Sequence, residues 1–174
     1  MIFTAYSDGV LDIGGQYVRC AFGATGLRPS ALKREGDGAT PIGRWPMRRL
    51  LYRPDRGRSP PCRIPVFAIR PDDGWCDAAS DPNYNRDVRL PYAASAEALW
   101  RQDHLYDLLV VLGHNDNPAM LGAGSAIFLH LAAPDFAPTR GCVAVDRPDM
   151  ESLLALTTGS DILAVHAGPA PAQI

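Results

Sequence analysis

Asp8-Gly9 and Gly14-Gly15 cut the start of the chain into three short apolar runs, Ile2–Ser7, Val10–Ile13 and Gln16–Phe22. Such pairs favour the positive backbone angles of tight hairpin turns, so the pattern predicts an antiparallel meander. Downstream the same grain continues. A polar, glycine-rich loop runs from Lys33 to Gly43, and residues 44–70 carry eight arginines and several prolines. These residues predict edge strands, with an exposed loop at Pro54–Pro61 and a strand at Ile64–Ile69. Residues 71–92 are aromatic and rich in Asp and Asn. They predict a long ordered loop of the kind that forms lids or binding surfaces.

Ala94–Asp103 has helical composition, whereas Leu108–Leu112 and Ser125–Leu131 have the composition of buried central strands. Asp146 offers an N-cap, with Pro148 just inside a helix running to about Thr157 and Gly159 ending it. Ile162–Val165 is a closing strand. Many strands with one or two short helices predict a mainly β domain, a barrel-like sandwich or closed barrel. One domain is expected over residues 1–167, with a flexible Pro/Ala tail over 168–174.

The 174 residues include 47% hydrophobic positions, enough for one real core. A net charge of −2 supplies no general attraction to nucleic acid. Lys33 is the only lysine, and with the many Ala, Pro and Gly residues it reads as coding bias. The most apolar run, Leu105 to Gly113, is far too short to span a membrane, where about 20 such residues are needed. The first residues, Met1 to Gly9, read as a strand and not as an export signal. Four cysteines, at 20, 62, 76 and 142, form no C-x-x-C pair, and no histidine lies at zinc-finger spacing. Neither a metal nor another cofactor is expected. Cys62 and Cys76 could pair in an oxidising compartment, which their spacing leaves open.

The chemistry concentrates late. Phe128-Leu129-His130 is followed, twelve residues after His130, by Cys142 in Thr139-Arg140-Gly141-Cys142-Val143-Ala144-Val145. A thiolate attacks where a thiol does not, and a nearby imidazole can take the proton and hold the anion as an ion pair. A small residue before the cysteine lets peptide N–H groups face a developing oxyanion. Acyl transfer through a thioester follows, with plain core packing of a buried cysteine as the competing reading.

Three segments carry a resemblance to a known family. Gly36-Asp37-Gly38-Ala39-Thr40-Pro41-Ile42-Gly43 resembles the G-x-x-T-P-x-G element of YkuD-type L,D-transpeptidase catalytic domains. His130…Thr139-Arg140-Gly141-Cys142 resembles their His…Ser/Thr-His-Gly-Cys signature. Trp75-Cys76-Asp77 and Asp81-Pro82-Asn83-Tyr84-Asn85-Arg86 are similar to a block seen in one branch. The order matches over residues 2–166.

The resemblance implies a barrel-like β sandwich that cross-links peptidoglycan stem peptides. Its partners would be donor and acceptor stems, its place the cell envelope, and its state a monomer. Cytoplasmic work on muropeptides stays open, since the chain shows no export signal. Cys142 would be the nucleophile and His130 the base. The Leu131 carbonyl would orient the imidazole, and the N–H groups of Gly141 and Cys142 would form the oxyanion hole. Water in place of an amine would make the enzyme an L,D-carboxypeptidase or endopeptidase. A non-catalytic peptidoglycan-binding module is the third option.

The chain departs from the family pattern at Arg140, which replaces a histidine, at Ala144, and in a short His130–Cys142 gap. Arg140 is expected to influence substrate choice, and to lower the thiol pKa if its side chain folds toward the sulfur. The start of the helix after Asp146 is a further source of positive potential. Thr139, His114, Asn115, Tyr84 and Asn85 are candidates for the cleft wall. His114 can equally be a satisfied strand-end histidine, and Tyr84 and Asn85 ordinary turn residues. The arginines of 44–70 read as a solvated face, with acidic stems or an anionic glycan as the alternative.

Overall fold

Burial alternates along the first strand: Phe3 and Ala5 are sealed while Ile2, Thr4 and Tyr6 are not. That period of two lets one side of a sheet become the lining of a barrel. The computed structural model describes residues 1–172, and residues 173 and 174 of the expected tail lie outside them. In chain order the strands are β1 (Ile2–Tyr6), β2 (Val10–Asp12), β3 (Tyr17–Ala21), β4 (Leu27–Pro29), β5 (Thr40–Tyr52), β6 (Val66–Ala68) and β7 (Asp73–Cys76). They continue as β8 (Asp87–Arg89), β9 (Ala96–Ala98), β10 (Leu108–Leu112), β11 (Phe128–Leu131), β12 (Val143–Val145) and β13 (Ile162–His166), with α1 (Arg147–Ala155) before the last.

The meander β1–β2–β3 forms as its turns dictate. The ring then runs β3–β12–β11–β10–β5–β13 and returns to β1, closing an eight-stranded barrel. Closure removes the sheet edges that would otherwise invite pairing with other chains. Two contacts in the ring are parallel, β1 with β13 and β11 with β12. The barrel interior holds Phe3, Leu11, Leu50, Val110, Leu129, Val143 and Leu163, and Met150, Leu153 and Leu154 of α1 pack into the same core. The helix ends at Ala155, within two residues of Thr157. Beyond β13, Gly168 accepts a hydrogen bond from Ser7 N–H at 3.0 Å, and Ala170 N–H donates to Asp8 at 3.1 Å.

A second core lies on the barrel's outer face. Register places Leu51 beside Leu109, Leu109 beside His130 and His130 beside Ala144. These residues, with Val111 beside Phe128, therefore share one face. A separate three-stranded sheet, ordered β8–β7–β9, caps it. Trp75 of β7 meets Phe128 edge to face at 5.1 Å, and Leu99, Tyr106 and Cys142 join the same cluster.

The cap corrects two expectations. Residues 71–92 contain strands β7 and β8, and the expected helix over Ala94–Asp103 is strand β9 with irregular chain after it. Pairing decides this: Trp75 stands opposite Glu97, and Gly74 opposite Ala98. Partner strands override the helix propensity of an Ala-Glu-Ala sequence. Gly74 hides the strand signal of β7, and the space above its α-carbon is tight. A Cβ at that position would come within 2.9 Å of the Leu90 side chain.

Candidate active site

Cys142 precedes β12 and lies on the capped face, two residues before Ala144. Its position is fixed from both sides. Thr139 Oγ1 and Thr40 Oγ1 both donate to the Cys142 carbonyl, at 2.7 and 3.2 Å. Thr40 belongs to the glycine-rich segment, so that loop braces the cysteine directly across 102 positions of sequence. Gly141 adopts φ +137°, and a Cβ there would stand 2.9 Å from the Ala39 carbonyl. No other residue fits that turn without moving the loop.

The sulfur sits against backbone polar groups. Its S–H donates to the Ala126 carbonyl at 3.2 Å, and Phe128 N–H donates to the sulfur at 3.4 Å. Ala126 has φ +52°, a left-handed conformation that few alanines adopt. This reversal explains why the strand expected from Ser125 starts only at Phe128.

His130 is buried, and Nδ1 lies 2.8 Å from the Leu131 carbonyl. With the proton on Nδ1 in that bond, Nε2 is left as a lone-pair base. Tyr106 meets the imidazole edge-on at 5.3 Å. Burial drives both groups toward neutrality: the Cys142 thiol is pushed up to about 12 and the His130 imidazole down to about 4. The expected thiolate–imidazolium pair is therefore not the resting state. Gly141 N–H is turned back to Thr139 Oγ1 at 3.1 Å. In this form it does not stand free beside Cys142 N–H as an oxyanion donor.

The sources of positive potential also differ from expectation. Arg140 is exposed and has neither ion pair nor hydrogen bond among the described residues. Three residues of β12, roughly 10 Å of strand, separate Cys142 from the start of α1, beyond the reach of its first turn. The cation that acts on the sulfur is Lys33, which burial, an opposing Glu97 and the Phe128 N–H all outrank. Lys33 is itself buried at 3% exposure, and its ammonium meets Asp37 at 2.5 Å.

Four candidates for the cleft wall serve as staples between loops. Asn85 Oδ1 accepts from Trp75 Nε1 at 2.9 Å and from Ala126 N–H at 3.0 Å. Its Nδ2 donates to the carbonyls of His114 and Asn115, so all its hydrogen-bonding capacity is spent. Asn115 closes its own loop through Met120 and Gly124. Tyr84 donates to Glu35 at 2.5 Å and accepts from Gly124 N–H at 2.9 Å. His114 is buried, meets Trp45 edge-on at 4.8 Å and places Nε2 3.1 Å from the Ala123 carbonyl. Burial holds its imidazole below the ordinary range. These side chains hold the loops around the site in position.

The profile of the YkuD L,D-transpeptidase catalytic domain matches residues 2–166. The chain belongs to this family. Among curated proteins none matches the sequence. As a YkuD domain the chain is the catalytic domain of an enzyme family that acts on peptidoglycan. No helix among its described residues is long and apolar enough to cross a membrane.

The YkuD domain also contains site residues that sequence reasoning passed over. Glu97 lay inside the expected helix. Tyr106 and Ala126 belong to no motif, Phe128 stands in the His130 stretch without a role of its own, and Lys33 marks only the start of the glycine-rich loop as the sole lysine. Half of the eight arginines of 44–70 are ion-paired, Arg48 with Asp116, Arg49 with Asp87, Arg53 with Asp55 and Arg56 with Asp107. Some of them line a cleft of about 1050 Å³ beside β5, β6 and β8. All four cysteines are free thiols, Cys62 and Cys76 included.

Proposed function

We propose that this YkuD domain is a cysteine-dependent peptidoglycan L,D-transpeptidase of the cell envelope. The supporting observation is the placement of Cys142 and His130 on one capped face, with Nδ1 of His130 committed to the Leu131 carbonyl. A donor stem peptide enters beside the cap. Its scissile carbonyl displaces solvent at the sulfur, and the thiol proton passes to Nε2 of His130 as attack begins. Because both groups rest neutral, proton transfer accompanies attack and does not precede it. The tetrahedral oxyanion is met by Cys142 N–H. Collapse expels the amine of the D-residue, which takes the proton from His130, and leaves the acyl group on Cys142 as a thioester. An acceptor amine then attacks, and the new amide leaves as the thiol re-forms.

Defined tri- and tetrapeptide muropeptides incubated with the protein, with products read by mass, test the reading. Cross-linked dimers are the expected result, and shortened stems alone would mean hydrolysis. A carbapenem, whose strained carbonyl mimics the amide, is expected to add one mass increment to wild type and none to Cys142→Ala. Labelling that survives Cys142→Ala removes the nucleophile.

A further inference from the structure

The cap turns two acids toward the sulfur. Trp75 and Asp77 lie two apart, hence on one face of the cap, and Glu97 stands directly across from Trp75. Trp75 packs on Phe128 in the cluster that contains Cys142, so this face is the one that covers the site. Asp77 N–H donates to the Ser95 carbonyl at 3.3 Å, which makes Asp77 and Glu97 diagonal neighbours, roughly 7–8 Å apart. Glu97 Oε1 is anchored by Tyr106 O–H at 2.7 Å, and Tyr106 in turn faces His130. Glu97 Oε2 has no hydrogen-bond partner among the described residues, although the side chain is 30% exposed. Asp77 Oδ1 is buried with no donor among the described residues. Like charges placed diagonally repel, and buried acceptors without donors are costly. An ammonium group, with three donors and one positive charge, answers both defects. Arg101 pairs with Glu97 only through Nη1 at 3.6 Å, on the Oε1 that Tyr106 already holds, while its Nε and Nη2 make a two-point contact with Asp103, so Oε2 stays free. Arg140 is an unpaired cation in the field of Glu97, free to meet the carboxylate of the same amino-acid centre.

We infer that Glu97, with Asp77 behind it, is the acceptor-binding residue of the second half-reaction: its free oxygen holds an incoming ammonium beside Cys142 and takes the first proton. This inference rests on the thioester reading above. The acceptor R–NH3⁺ gives one proton to the Glu97 carboxylate and becomes R–NH2. Its lone pair forms the C–N bond to the thioester carbon while His130 takes a second proton from nitrogen. The C–S bond then breaks, and the departing sulfur recovers that proton from His130 as the thiol. Glu97 releases its own proton to solvent, and the products are the amide, the free enzyme and one H⁺. Burial raises the Glu97 carboxyl, which makes it a better proton acceptor than an exposed carboxylate.

The test separates the two half-reactions, with a tetrapeptide muropeptide as donor and glycine as the ammonium acceptor. Glu97→Gln keeps the shape and the Tyr106 contact. In that variant, aminolysis relative to hydrolysis is expected to fall about ten- to a hundredfold, the worth of one hydrogen bond to a charge. The ratio is read on enzyme that already carries the thioester, so a change in acylation rate does not enter it. A merely structural glutamate would slow both steps together. In wild type, use of glycine relative to hydroxylamine, which is neutral near pH 7 and intrinsically the faster nucleophile, is expected to exceed the same ratio measured on a free model thioester. A wild-type ratio equal to that of the free thioester overturns the assignment without any variant. An unchanged partition in Glu97→Gln overturns it too, while the thioester reading survives. Failure of wild type to acylate at all removes both.

Discussion

Ala126 N–H donates to Asn85 Oδ1, and this one hydrogen bond aims the neighbouring carbonyl at the Cys142 thiol. The same carboxamide holds Trp75 of the cap and the backbone at His114 and Asn115. Cap, loop and Cys142 are therefore registered by a single side chain. The left-handed alanine is tolerated because its surroundings over-determine it.

Asn85→Ala leaves the Trp75 indole N–H, the Ala126 N–H and two carbonyls without partners. A loss of about 3 kcal/mol or more is expected in urea denaturation. Acylation should slow with it, since the Ala126 carbonyl loses its brace. A variant as stable as wild type would show that the bonds are replaced by water.

The thiol of Cys142 is held at about 12. Carbamidomethylation by iodoacetamide at this residue, followed by peptide mapping, should climb about tenfold per pH unit between roughly pH 7 and 10, as thiolate becomes available. A plateau below pH 8 would mean that an ion pair with His130 exists before substrate arrives.

His130 couples stability to acidity. Its imidazole titrates near 6.5 in the unfolded chain and at about 4 when folded. Between those values the unfolded chain binds the extra proton, so stability falls as pH drops through this window and the loss is complete below it. The expected cost is about 3 kcal/mol from pH 7 to pH 4. His130→Asn should show that much less acid sensitivity in denaturant titrations at the two pH values, and an equal slope would place the imidazole in solvent.

Lys33 and Asp37 form a buried pair. Burial opposes ionisation of Asp37, but the Lys33 ammonium and the N–H groups of Ala39 and Arg34 hold its carboxyl below the usual range. Its contribution is present above about pH 4 and is lost as pH falls through the depressed value. Asp37→Asn strands the ammonium and should cost about 3–5 kcal/mol in thermal or chemical melts. The double change Lys33→Met, Asp37→Leu should recover most of that, and no recovery would assign the cost to the loop backbone.

The barrel was legible because its strands alternate and its turns are marked: Asp8-Gly9 and Gly14-Gly15 announce β1–β2–β3 from composition alone. The cap was not, because β9 is an Ala-Glu-Ala sequence whose conformation is chosen by Trp75 and Gly74 across the sheet. That miss carried Glu97 with it. The motif located Cys142 and His130, but their protonation depends on burial under a cap that the sequence did not reveal. Tyr84, Asn85, His114 and Asn115 lie near the site, as their loops suggested. Which way an amide points, and whether its bonds are already taken, is decided by partners tens of positions away. Arg140 shows the converse: beside the cysteine in sequence, it extends into solvent, while Lys33, more than a hundred positions earlier, is the cation the sulfur feels.

β1 lies between β2 and β13, pairing in parallel with residues 162–166. During synthesis the first strand leaves the ribosome with half of its hydrogen-bonding edge waiting for nearly the last residues of the domain. Contacts of such sequence separation are slow to form. The nascent chain must keep that edge unpaired until translation has passed β13, the interval in which an unfinished barrel is most open to chaperones and to wrong neighbours.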